Sequence, residues 1–125
     1  MNMFDEDFIL VVDDDDDIRE SLATLLEDEG HKVISACNGQ EALAILQRSG
    51  LPCVILLDLM MPVMDGAEFR KHQLADAKLA EIPVVLITAA GQARARAVPS
   101  NRVLPKPLKA EDLFAAVDTF CMHAD

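Results

Sequence analysis

The stretch that decides the fold lies at residues 53–66 and reads CVILLDLMMPVMDG. Residues 53–57 are apolar without alternation, a pattern typical of a strand covered on both faces of a sheet. The run ends at Asp58, and a loop that contains Pro62 and Gly66 follows it. A carboxylate directly after a buried strand is expected at the carboxyl edge of a parallel sheet, which is where α/β folds bind their ligands.

Apolar runs of the same kind alternate with helical patterns along the rest of the chain. Ile18, Leu22 and Leu26 have the spacing of one helical stripe, and Asp15 or Asp16 supplies its N-cap. The predicted strands are 8–12, 32–36, 53–57, 83–87 and 103–104. The predicted helices begin near 16, 38, 67 and 109, and the first three end near 30, 50 and 79. This alternation predicts an α/β fold with a doubly wound five-stranded parallel sheet, helices on both faces, and one domain over residues 1–125.

Composition and charge narrow the classes of partner. Hydrophobic residues make up 51% of the chain, which is enough for a core, and 22 acidic against 11 basic residues give a net charge of −11. This acidic field disfavours direct binding to nucleic acid or to an anionic membrane surface. No apolar run approaches the length of a membrane span and the N-terminus is acidic, so we expect a cytoplasmic protein.

The cysteines give no motif. The chain has three cysteines, an odd number, and no two of them have the CxxC spacing: Cys37, Cys53 and Cys121. In a cytoplasmic protein we expect all three to be reduced, inert thiols without a chemical role.

Polar residues follow four of the five predicted strands. Asp13 and Asp14 follow the first strand, Asp58 the third, Thr88 the fourth and Lys106 the fifth. In a parallel sheet these strand ends meet at one edge, so three carboxylates, a hydroxyl and an ammonium are expected to lie together. No single residue of this set is specific, but their joint position at four strand ends predicts a functional site.

Three carboxylates at one place repel each other unless a cation lies among them. Mg²⁺ suits such a site because it needs one or two carboxylates, keeps several waters and accepts oxygens of a phosphorylated group. A carboxylate beside the metal can act as a nucleophile towards a phosphoryl group. The residues therefore indicate phosphoryl transfer, which depends mainly on positioning and charge neutralisation.

The sequence resembles response-regulator receiver domains over essentially its whole length. The matching motifs are ILVVDDD at residues 9–15, LLDLMMPVMDG at 56–66, ITA at 87–89 and KPL at 106–108. The resemblance implies a flavodoxin-like fold with strand order 2-1-3-4-5. It also implies a signalling switch that catalyses only its own phosphorylation and slow dephosphorylation, with a phosphohistidine of a sensor histidine kinase or histidine phosphotransfer protein as donor.

The resemblance assigns a role to each residue of the predicted site. Asp58 matches the phosphoacceptor. Asp13 and Asp14 match the acidic pair that holds Mg²⁺, with Mn²⁺ as a substitute, and the backbone carbonyl of Met60 matches a further metal ligand. The two remaining site residues match, in this order, the switch hydroxyl and the lysine that pairs with the phosphate: Thr88 and Lys106.

The chain departs from the family on the side that would signal to a partner. Val103 stands where the family usually has a rotating Tyr or Phe. The segment between the fourth and fifth strands is short, and Pro99 limits its helical part, so the helix there is expected to be short or irregular. The arginines between Gly91 and Val103 make this segment, together with the last helix, a candidate docking site for an unknown downstream protein.

Other interpretations of the acidic residues were weighed. Asp13, Asp15 and Asp17 have the spacing of a calcium loop, but Ile18 stands where that loop needs glycine and Thr24 where it needs glutamate. Asp17 and the aspartate before it are better explained as solvated charges in the first turn of a helix.

Two alternative functions remain open. The first is a protein-binding module of the same fold that works without phosphorylation because its signalling face is altered. The second is a phosphatase with an aspartyl nucleophile, which is disfavoured because Met60 stands where that class has its acid/base carboxylate.

Overall fold

A computed structural model describes residues 8–89 and 95–121. Five strands and four helices are present in these ranges, and no helix among them is both long and apolar enough to cross a membrane. In chain order they are β1 (Phe8–Val12), α1 (Asp16–Asp28), β2 (Lys32–Ala36), α2 (Gly39–Ser49), β3 (Val54–Asp58), α3 (Gly66–Ala75), β4 (Val84–Thr88), β5 (Arg102–Pro105) and α4 (Ala110–Phe120).

The strands form one parallel sheet of order β2-β1-β3-β4-β5. This confirms the predicted doubly wound, flavodoxin-like fold. Every residue of β1, β3 and β4 is buried, as their continuous apolar runs predict. Helices α2 and α3 cover one face with a core that includes Ile45 and Phe69. Helices α1 and α4 cover the other with a core that includes Leu26 and Leu113.

Side-chain caps begin three of the helices. The Asp15 carboxylate accepts hydrogen bonds from the backbone N–H groups of Asp17 and Ile18, which confirms the predicted start of α1. Asn38 caps α2 and Asp65 caps α3 in the same way. Each cap satisfies a backbone donor that the first turn of a helix leaves without an intrahelical partner.

The end of α3 differs from the prediction. The helix was expected to reach residue 79, but Asp76 leaves helical geometry at φ −108° and ψ 117°. The reason is Gln73, whose buried side-chain amide donates to the carbonyls of Leu79 at 2.8 Å and Ile82 at 3.1 Å. These bonds stabilise a compact turn in place of the predicted last turn of the helix.

The same buried face of α3 is tied to the connection that precedes β5. Arg70 is only 7% exposed, and its Nε donates to the carbonyl oxygen of Pro99 at 2.8 Å. Its Nη1 donates to Oε1 of Gln73 at 2.7 Å. Arg70, which also donates to Gln73, thus links the third helix to the altered segment between β4 and β5.

The short or irregular helix predicted between β4 and β5 falls in part on residues 90–94, which lie outside the described ranges. Ala95 and Arg96 are helical. Ala95 and Val98 are both buried, so the segment has one more apolar anchor than the sequence suggested. Val84 joins it to the sheet by donating to Oδ1 of Asn101 at 2.9 Å.

The expectation of three reduced cysteines is wrong for two of them. Cys53 and Cys121 form a disulfide, with Cα atoms 5.3 Å apart, and Cys37 is free. The pair is 68 residues apart in sequence. It meets because α4 packs on the sheet and ends beside the start of β3, a contact that local spacing does not reveal.

The loop after Asp58 contains a backbone conformation that its residue type disfavours. Val63 has φ 68° and is 72% exposed, and the N–H of Met64 donates to the carbonyl of Pro62 across it. A β-branched residue at positive φ costs about 1–2 kcal/mol. Because the side chain is exposed, it gains little packing in return.

We therefore expect Val63→Gly to raise the free energy of unfolding by about 1 kcal/mol, since glycine removes the steric cost. Urea denaturation measures the change. The matched exchange Val103→Gly, at a partly exposed position in β5, should lower stability because glycine weakens a strand. A loss of stability in Val63→Gly would contradict the assignment of strain to this loop.

Candidate functional site

The carboxyl edge of the sheet holds the predicted site residues. Asp13 follows β1, and its N–H donates to the carbonyl of Ala36 at 3.1 Å, which extends the ladder to β2 by one bond. Asp58 and Thr88 are the last residues of β3 and β4. Lys106 follows β5, and its N–H donates to the Thr88 carbonyl at 3.1 Å. Backbone hydrogen bonding between the strands therefore fixes the positions of the Cα atoms that carry these side chains.

The three aspartates converge as the sequence predicted. One carboxylate oxygen from each of Asp13, Asp14 and Asp58 lies within 4.8 Å of the others. Asp13 and Asp58 are 1% and 4% exposed, whereas Asp14 is exposed. The Lys106 ammonium lies 3.5 Å from Oδ1 of Asp58 and 3.6 Å from Oδ2 of Asp13. One cation thus faces two buried carboxylates.

Burial, and after it the neighbouring charge of Asp13, raise the pKa of Asp58 from 3.8 to about 6. The Lys106 ammonium and a hydrogen bond from the Met60 backbone N–H oppose this rise. The pKa stays high because the positive charge of one lysine does not compensate for desolvation and the second carboxylate.

The cluster fits a hard divalent cation. Oδ2 of Asp13 is buried and accepts no hydrogen bond from any residue in the described ranges, although a buried carboxylate oxygen normally has a partner. Oxygen ligands from two or three carboxylates suit Mg²⁺, which completes its octahedron with water and substrate oxygens. Asp13, Asp14 and Asp58 would supply these oxygens.

Two residues that the sequence did not single out hold this edge in place. Arg19 donates from Nη1 to the Asp13 carbonyl at 2.8 Å and also pairs with Asp16, so it fixes the loop after β1. Gly66 donates its N–H to the Leu59 carbonyl at 2.9 Å. The sequence features that could have indicated these roles are a basic residue in the first turn of an acidic helix and a glycine that begins a helix.

Gly66 also lies against the backbone of the loop that carries the acceptor aspartate. A Cβ at this position would lie 2.7 Å from the carbonyl oxygen of Asp58 and 3.0 Å from the Cα of Leu59. Real Cβ atoms do not approach backbone so closely. Glycine is therefore required here by close packing of α3 against the end of β3.

The structure places the remaining predicted residues as follows. Thr88 is buried at the end of β4, one position beyond the residue that pairs with Asp58. Met60 is exposed, with its N–H directed at Asp58. Val103 is 39% exposed in β5, opposite Leu86. An outward aliphatic side chain thus occupies the position of the usual aromatic.

The fold and this edge define a flavodoxin-like α/β protein with an acidic cluster and a lysine at the switch point of its sheet. Residues 9–118 match the family model described as response regulator receiver domain. The chain belongs to this family.

Curated relatives agree with that assignment. The chain is 38% identical over 114 residues to the response regulator Rre1 of Synechocystis, covering 87% of this chain and 49% of Rre1. It is 39% identical over 118 residues to a 14.6 kDa protein of Leptolyngbya boryana, covering 91% of this chain and 89% of the relative. The chain spans about half the length of several of its curated relatives.

Solved structures show the same fold. The chemotaxis protein CheY4 of Vibrio cholerae is 31% identical to this chain and superposes with a TM-score of 0.82. The superposition covers 92% of this chain and 98% of CheY4. The receiver domain of a histidine kinase from Syntrophus aciditrophicus is 29% identical to this chain and superposes with a TM-score of 0.85. The superposition covers 91% of this chain and 89% of that domain.

Proposed function

We propose that this receiver domain is a phosphorylation-dependent signalling switch in which the Asp58 carboxylate accepts a phosphoryl group. The observation that carries the proposal is the Lys106 ammonium, which faces both the Asp58 carboxylate and a second buried carboxylate, that of Asp13. The proposed donor is a phosphohistidine of a sensor histidine kinase or of a histidine phosphotransfer protein, and the proposed location of this domain is the cytoplasm. The domain catalyses only its own phosphorylation and slow dephosphorylation.

In the proposed reaction, an Asp58 oxygen attacks phosphorus, a P–O bond forms, and the P–N bond to the donor imidazole breaks. The Lys106 ammonium balances the negative charge of the phosphoryl oxygens, and the Thr88 hydroxyl donates a hydrogen bond to one of them. The three aspartates and the Met60 carbonyl would hold Mg²⁺ or Mn²⁺, which would supply charge neutralisation. The nucleophile must be ionised, and metal binding lowers the pKa of a carboxyl group that ligates it.

The output of the switch is proposed to lie on the side of β5. The segment from Gly91 to Val103, together with α4, is the proposed docking site for a downstream protein, and residues 91–94 of it lie outside the described ranges. Val103 has no ring to rotate, so Thr88 is proposed to act on the neighbouring backbone, and the Arg70–Pro99 hydrogen bond holds the far end of the segment to α3.

Intact-mass spectrometry tests the proposal directly. Incubation with acetyl phosphate and Mg²⁺ should add one phosphoryl group to the wild type and none to Asp58→Asn. In EDTA the rate should fall by about 100-fold or more, because charge neutralisation is lost. Asp17→Asn, an exposed aspartate of the same acidic run, is the matched control and should be phosphorylated normally.

An adduct that persists in Asp58→Asn would show that another residue is modified. A wild type that takes up no phosphoryl group from acetyl phosphate or a phosphohistidine protein would overturn the proposal. That outcome would favour the phosphorylation-independent binding module.

A further inference from the structure

The disulfide lies at the opposite end of the sheet from the acidic cluster. Cys53 immediately precedes β3, and Asp58 is the last residue of the same strand. Five strand residues span about 17 Å. One strand therefore carries a sulfur–sulfur bond at one end and the candidate phosphoacceptor at the other, and the two sites share no side chain.

Helix α4 is the helix that this bond attaches to the sheet. Its N-cap, Lys109, makes no side-chain capping bond, and its last turn has no basic residue to complement the helix dipole. A helix of 11 residues is not stable alone in water. Leu113 and Val117 hold it to the sheet by packing, and Cys121, its C-cap, adds the covalent attachment.

The two cysteines differ in exposure. Cys121 is 3% exposed, whereas Cys53 is only half-buried beside the exposed Leu51. A small thiolate therefore reaches the Cys53 sulfur first, and the thiolate of Cys121 leaves. Disulfides that a thiol can approach are the ones that exchange.

We propose that Cys53 and Cys121 form a reversible redox site whose state sets how firmly α4 is held to the sheet. In oxidation, a low-molecular-weight disulfide such as oxidised glutathione accepts two electrons. One protein thiolate displaces a glutathione thiolate to form a mixed disulfide, and the second protein thiolate displaces the other glutathione. Two protein S–H bonds are lost, one S–S bond forms, and two glutathione thiols are released; reduction is the reverse.

The reduced form keeps the fold because both cysteines also belong to the core between the sheet and helices α1 and α4. Cys37 provides an internal reference. It follows β2 at the other edge of the sheet, has no cysteine partner, and burial together with Glu41 raises the pKa of its thiol. A thiol with a raised pKa is less often the attacking thiolate.

The experiment compares one sequence in two redox states. The folded full chain is equilibrated with oxidised glutathione or with dithiothreitol, then blocked with N-ethylmaleimide in denaturant, because Cys121 is only 3% exposed in the fold, and weighed by intact-mass spectrometry. The oxidised form should carry one maleimide, at Cys37, and the reduced form three. Dithiothreitol should restore all three thiols of the oxidised protein without denaturant in the reduction step. Oxidation should raise Tm by about 10 °C, as expected for closing so long a loop.

Hydrogen exchange gives the readout of the helix itself. Amides of residues 113–121 should exchange more slowly in the oxidised form, while those of α2 change little. Cys121→Ala should abolish the redox dependence of Tm, and Cys37→Ala should leave it unchanged. Asp58→Asn should show the same difference in Tm between the oxidised and reduced forms as the wild type does, although its Tm in each form is higher, because the redox site is independent of phosphorylation.

Three results would overturn the proposal. They are a stable mixed disulfide with glutathione in place of the internal bond, a bond that dithiothreitol reduces only in denaturant, and an internal bond that leaves exchange in α4 unchanged.

Discussion

In the absence of metal, Asp58→Asn is expected to be more stable than the wild type by about 2–3 kcal/mol at pH 7.5. The folded protein raises the pKa of Asp58 from 3.8 to about 6, so a buried charge must be maintained at neutral pH. One pKa unit corresponds to about 1.4 kcal/mol. Asparagine has nearly the same shape and no charge, and it therefore removes this cost.

The pH dependence gives the sign of the effect. Between pH 3.8 and about 6 the folded state binds more protons at Asp58 than the unfolded state does. The contribution of Asp58 to stability therefore falls as pH rises through this window. The advantage of Asp58→Asn should be largest above pH 6 and should shrink by about 1 kcal/mol for each pH unit below it.

Urea denaturation in EDTA, at several pH values, measures the difference. Asp14→Asn is the matched control, because it removes an exposed carboxylate of the same cluster, and it should change stability by less than about 1 kcal/mol. Millimolar Mg²⁺ should stabilise the wild type more than Asp58→Asn and narrow the gap. A metal-free Asp58→Asn that is less stable than the wild type at pH 7.5 would refute the argument.

The sequence was sufficient for the parts of this molecule in which local pattern and final environment agree. β1, β3 and β4 are continuous apolar runs, and a run of that kind is stable only when both faces are covered. The positions of Asp13, Asp58, Thr88 and Lys106 then follow from topology, because parallel strands bring their carboxyl ends to one edge. The convergence of the three aspartates was predictable for this reason.

Other features depend on contacts between distant segments, which spacing does not report. Cys53 and Cys121 meet only because α4 crosses the sheet in one particular place. Arg70 and Gln73 were not singled out, because polar residues on a helix are ordinarily solvated. Here they are buried, and they satisfy backbone carbonyls that the ends of two connections leave open. Val63 was also missed, since sequence favours glycine or asparagine at positive φ.

Gly66→Ala is the second change for which a large effect is expected. Gly66 is the first residue of α3 and has no positive φ, so alanine suits its backbone and even favours a helix. The cost is steric alone. The new methyl group would lie 2.7 Å from the carbonyl oxygen of Asp58, and neither the strand end nor the helix start is a flexible side chain that can turn away.

We expect Gly66→Ala to lower the free energy of unfolding by about 1–3 kcal/mol, the range of an overpacked core. It should slow phosphorylation by acetyl phosphate by about 100-fold, because a displacement of about 1 Å in a reacting group has an effect of that size. Urea denaturation and the rate of adduct formation by mass spectrometry measure the two effects.

The control is Gly30→Ala, which also adds one methyl group to a glycine. Gly30 has φ 95° and no atom near the added Cβ, so its cost of about 1 kcal/mol arises from backbone strain far from the site. Gly30→Ala should therefore lose stability and keep its phosphorylation rate. If Gly66→Ala also kept its rate, the contact between α3 and the end of β3 would not position Asp58, and the steric argument would fail.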